Sequence, residues 1–92
     1  MDFYIPQQAL DVCRRSITVE GTEIKFVALE CWLVFKARRG AQSDINALTE
    51  VKRLEDDRIV KLDYNLMKRV IELYEEDSHY IVDRLRSCGF RI

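Results

Sequence analysis

The sequence predicts an α+β fold, a small strand region followed by a run of helices, and three observations carry that expectation. Apolar and polar residues alternate on either side of Gly21, with Ile17 and Val19 before it and Ile24 and Phe26 after it. From Leu29 onward the apolar residues recur instead at helical spacing. The two patterns do not interleave, and segregated elements of this kind build an α+β fold rather than an alternating α/β one. A sheet of about three strands on one layer of about four helices follows, because the apolar face of the hairpin needs a cover.

Taken in order, Asp2-Phe3-Tyr4-Ile5 has the aromatic and β-branched character of a short strand, stopped by Pro6. Gln7 to Arg14 carries a weak helical pattern through Ala9, Leu10 and Cys13. The hairpin comes next, turning at Glu20-Gly21, where glycine accepts the positive φ of a tight turn. Leu29 to Arg39 reads as a helix apolar nearly all round, which predicts a central, buried position. Gly40 suits the residue after its end. Ser43 or Asp44 is then expected to cap a helix over Ile45 to Leu54, with Leu48 and Val51 inward. Asp63 is the expected cap of a helix from Tyr64 to about Glu76, with Leu62 and Met67 as a hydrophobic staple. Ser78 is expected to cap a last helix that ends at Gly89.

Ninety-two residues are read as a single domain, 1–28 forming the strand part and 29–92 the helical part. A chain of this size buries only roughly 60–65% of the surface its unfolded form exposes, so a partner would add usefully to its stability. An apolar fraction of 48% with 34% charged residues describes a folded rather than disordered chain. The net charge of −1 leaves no strong nucleic-acid signal. No apolar run is long enough to span a membrane, and Asp2 and Pro6 are out of place in a signal peptide. Cys13, Cys31 and Cys88 are odd in number and widely spaced, so reduced cysteines, no zinc and a cytoplasmic location are expected.

The stretch from Phe26 to Leu48 carries the most specific pattern. A strand end leads into the apolar helix, which delivers Lys36 and the Arg38-Arg39 pair, breaks at Gly40 and restarts at Ser43-Asp44. This order resembles the second half of nucleotidyltransferase-fold proteins, notably the AbiEii-like group. Those proteins carry Glu-Asp-Leu-Ile-x-x-Lys, a Gly- or Arg-rich break, and then Lys-Asp-Leu-x-Asp. Glu30, Lys36, Gly40 and Asp44 fall on that pattern, and Leu62-Asp63-Tyr64 is similar to a later segment of it. The resemblance covers about Asp2 to Leu66. The chain departs from the pattern at Ala41, Ser43 and Ala47, where the family has Arg, Lys and Asp.

The resemblance implies a phosphate-contacting role for Lys36, with Arg38, Arg39 and Asp44 as the remaining nucleotide-site candidates. Each has a simpler reading. Lys36, Arg38 and Arg39 all favour the negative end of a helix dipole, and Asp44 favours the positive start of the next helix. Asp44 can also pair with Arg38 or Arg39 across the break. The resemblance further places Asp2 at the third metal-binding carboxylate of the fold, at the head of a strand. The Gly-Ser motif and the Asp-x-Asp pair that complete such a centre are missing from the sequence, and one carboxylate cannot hold two metal ions.

The expected protein is therefore a truncated nucleotidyltransferase-fold chain, inactive alone, that binds or acts as half of a split enzyme. Mg²⁺ and a nucleoside triphosphate would enter only with a separate chain carrying the missing N-terminal half. The alternative is a non-enzymatic interaction module, antitoxin- or adaptor-like, that uses an exposed sheet edge. Either reading leads to an expected homodimer, since two-fold pairing is the commonest way to cover such a surface.

Overall fold

The computed structural model describes residues 5–92, in the order α1 (Gln7–Cys13), β1 (Arg14–Val19), β2 (Thr22–Val27), α2 (Leu29–Arg39), α3 (Gln42–Asp56), α4 (Tyr64–Glu72) and α5 (Ser78–Ser87). A short 3-10 turn, Glu75–Asp77, precedes α5. The architecture is α+β. The strand expected to begin at Asp2 lies, except for Ile5, outside the described residues.

α2 is the central helix, as its all-round apolar character requires. It packs against α3, α4 and α5 and buries Cys31, Leu33, Val34, Phe35 and Ala37. Leu48, Met67, Val70, Ile81 and Leu85 close around it from the other three helices. Gly40 ends α2 at φ 67°, a left-handed conformation that suits glycine. The position has a second requirement. A Cβ built on Gly40 would overlap the Arg84 guanidinium, which crosses here to donate to the Ala37 carbonyl at 2.8 Å.

Several boundaries differ from the sequence expectation. Helix α3 begins at Gln42 with Ala41 as its N-cap, so neither Ser43 nor Asp44 holds that position. Asp44 instead sits third in the helix, within its first turn, and accepts from the Ala41 N–H. α4 stops at Glu72, where the chain tightens into the 3-10 turn and continues as α5. Ser78 opens α5 rather than capping it, and Asp77 is the flanking residue. The Asp63 cap stands as expected, its Oδ1 accepting from Asn65 and Leu66 N–H, and Leu62 and Met67 are both buried.

Two larger corrections concern the hairpin and the cysteines. β1 and β2 pair antiparallel from Arg14–Val27 to Val19–Thr22 and turn through Glu20 and Gly21, both at positive φ. Among the described residues this is a two-stranded sheet, and all twelve strand residues are exposed. The expected packing of its apolar face on the helices does not occur. The helices already satisfy one another around α2, so the ribbon has no layer left to cover it. Cys13 and Cys31, expected to be reduced, form a disulfide that ties the end of α1 to the first turn of α2. Eighteen positions apart in sequence, they meet because the ribbon returns the chain to its own start, where Ala28 N–H bonds Cys13 C=O. Cys88 is the free thiol, half-buried.

Candidate functional site

The break between α2 and α3 gathers three of the sequence-predicted residues around one buried carboxylate. Asp44 is fully buried, held there because it lies on the inward side of the first turn of α3. The Arg39 guanidinium grips it in a fork, Nε to Oδ2 and Nη2 to Oδ1, both at 2.7 Å. The Lys36 ammonium lies 3.1 Å from Oδ1, and the Ala41 N–H donates to Oδ2 at 2.9 Å. Lys36 also sits 5.3 Å from the centre of the Trp32 ring, a cation–π distance. The side chains of Lys36 and Arg39 keep 20% and 32% of their surface exposed, so the cluster opens to solvent on its cationic side.

Electrostatics follow from this geometry. The hydrogen bonds from Arg39 hold the Asp44 carboxyl far below the usual carboxylate range. Burial opposes that shift, and Lys36 and the Ala41 amide reinforce it. The same contact raises Arg39. A buried anion between two cations locks the α2–α3 corner in one geometry. Both cations share this one carboxylate.

Arg38 is not part of this cluster. Its Nε donates instead to Asp77 Oδ2 at 3.3 Å. A shallow cleft of about 420 Å³ lies there, lined by Arg38, Arg39, Glu76, Asp77, His79 and Tyr80, with both signs of charge on its walls. Asp2 lies outside the described residues. Glu30, which matches the family pattern in sequence, acts as a tie within the fold. Its Oε2 accepts the Asp63 N–H at 2.8 Å and so joins α2 to the start of α4.

Sequence reading missed how completely the ribbon is exposed. Opposed residues in an antiparallel pair share a face, so the register puts Ile17, Val19, Ile24 and Phe26 on one side. These four are 45–51% exposed. Arg14, Arg15 and Lys25 lie toward the base of the ribbon, and Glu20 and Glu23 toward its tip. The alternation that identified the hairpin also identified this face, but only the tertiary arrangement leaves it uncovered.

The class that the fold and the site define is a small α+β chain with a central helix, a buried charged corner and an exposed two-stranded ribbon. The chain belongs to the family described as Nucleotidyl transferase of unknown function (DUF2204), whose profile matches residues 1–87. No curated protein and no solved structure is significantly similar to it.

Proposed function

We propose that this chain is the non-catalytic, binding part of a nucleotidyltransferase-like assembly and transfers no nucleotide by itself. The observation that carries the reading is the ribbon, whose apolar face is exposed and whose outer edges meet no further strand among the described residues, in a member of a family named for nucleotidyl transfer. Open edges and an apolar sheet face are the features through which further strands join. The sequence holds neither Gly-Ser nor Asp-x-Asp. Among the described residues no three acidic, histidine or cysteine side chains gather as a metal site, and the buried carboxylate of Asp44 is already taken by two cations. The residues described therefore do not fit a two-metal centre, and Mg²⁺ with a nucleoside triphosphate would require carboxylates beyond them.

In such an assembly the solvent-facing sides of Lys36 and Arg39, the two cations around Asp44, are the surface suited to a phosphate, with Arg38 on the neighbouring wall. The test is incorporation of labelled nucleoside triphosphate into RNA or protein by the purified chain, with Mg²⁺ or Mn²⁺. No incorporation is expected. Transfer that disappears on Asp2→Ala would overturn the proposal.

A further inference from the structure

We infer that the ribbon is a self-association element, and that a second copy of this chain pairs with the outer edge of β1 in antiparallel, two-fold register centred on Ile17. The inference rests on the reading of the ribbon as a binding surface and names its occupant. Three observations converge on it.

The first is which backbone groups point outward. The Ala28 N–H to Cys13 C=O bond continues the ladder below the ribbon, and the register runs in steps from Arg14–Val27 to Val19–Thr22. Antiparallel pairs alternate between hydrogen-bonded and non-bonded. Cys13 therefore turns its C=O toward β2, and Arg15, Ile17 and Val19 both their N–H and C=O, while Ser16 and Thr18 turn theirs to the outer edge, which no other strand occupies among the described residues. Arg14 is already served, since its N–H bonds Leu10 C=O and its own C=O accepts from the Arg15 guanidinium.

The second is self-complementarity. Two β1 strands crossing antiparallel at Ile17 set Ser16 opposite the partner copy's Thr18, and the reverse. Both pairs then exchange N–H···O bonds in each direction, and the parity of the outward groups is satisfied. Centring on Ser16 or Thr18 satisfies the same parity but brings Arg14 opposite Thr18 or Thr22 instead of an acid.

The third is charge. The Ile17 register brings Arg14 of each copy beside Glu20 of the other, twice over, because the basic base of one ribbon meets the acidic tip of its mate. Neither residue has an ion-pair partner among the described residues. On β2, by contrast, Glu23 and Lys25 are paired with each other at 3.9 Å. On the apolar face the same register sets Ile17 against Ile17 at the axis and lays the Arg15 stem along Val19. The two exposed apolar faces thereby merge into one four-stranded sheet, with isologous closure as the commonest form of assembly.

The experiment is light scattering and analytical ultracentrifugation of wild type, Arg14→Glu, Glu20→Arg, the two single variants mixed, and the double variant. Wild type is expected at twice 10.9 kDa at micromolar to submillimolar concentration. Each single reversal turns two attractive contacts repulsive and should weaken association roughly ten- to hundredfold. Mixing the two singles restores both pairs in a heterodimer, and the double variant restores them in a homodimer. Circular dichroism checks that each variant is folded, which the position of both residues outside the core favours. A wild-type monomer overturns the inference, including one that dimerises only through a different chain. Single variants that stay dimeric, or a mixture that does not recover, overturn the register. The nucleotide-transfer assay is independent of mass: an inactive monomer removes this inference alone, and an active dimer removes the reading beneath it alone.

Discussion

Replacing Asp44 by Asn tests the charged corner most directly, because it keeps the shape and one acceptor for the Ala41 N–H while removing the charge. Breaking a buried ion pair from one side costs about 3–5 kcal/mol when the orphaned partner stays buried. Here Lys36 and Arg39 retain 20% and 32% exposure and can partly rehydrate, so the expected loss is about 2–4 kcal/mol. For a chain of this length that is a fall in Tm of roughly 10–30 °C. Urea unfolding followed by Trp32 fluorescence measures it, with the ring close enough to Lys36 to report on the corner. The pH dependence gives a second reading. The folded carboxyl titrates well below its unfolded counterpart, whose pKa is about 3.9. The stabilisation is therefore complete above about pH 4 and is lost progressively as the pH falls below that value. The gap between wild type and Asp44→Asn should be constant from neutral pH to about pH 5 and narrow in stronger acid. A variant as stable as wild type at neutral pH, or a gap that does not narrow in acid, would refute the reasoning.

Gly40→Ala should cost about 2–4 kcal/mol, part from the left-handed φ and part from pushing Arg84 off the Ala37 carbonyl. A double-mutant cycle with Arg84→Met checks it, since the Arg84 share vanishes once that side chain no longer reaches the corner. Asp63→Ala removes the acceptor for Asn65 and Leu66 N–H and should lower stability by about 1 kcal/mol in denaturant titration. Denatured without reductant, the chain should alkylate at Cys88 alone; three reactive thiols in mass spectrometry would show the Cys13–Cys31 bond to be absent. Burial, with the Glu55 carboxylate beside it, pushes the Tyr64 phenol up to about 12. Its contribution to stability is then complete below about pH 10 and lost as the pH rises toward 12. A phenolate absorbance titration compared with Tyr64→Phe measures that directly.

Features that depend on neighbours along the chain are legible in the amino-acid order. Alternation around Gly21 is enough to give the hairpin, and the all-round apolar run from Leu29 is enough to give a central helix. Gly40 and Asp63 mark a stop and a start through local backbone chemistry. Family membership is legible for the same reason, since the pattern of Glu30, Lys36, Gly40 and Asp44 lies within one short stretch. Pairing of Arg39 with Asp44 is also within reach, because the two flank one tight corner.

Other features arise only when distant parts of the chain meet. Whether an amphipathic ribbon is covered depends on whether a second layer remains to cover it, and the helices use their apolar faces on one another. Spacing suggests separate thiols at Cys13 and Cys31, but the ribbon brings its own two ends together and the sulfurs with them. Asp44 reads along the chain as a surface helix start. Its burial comes from the sharp α2–α3 corner, which turns the first turn of α3 inward against Arg39 and Lys36. Periodicity names the side of an element that is apolar, but closure of the whole chain decides which charges are enclosed and which apolar faces stay open.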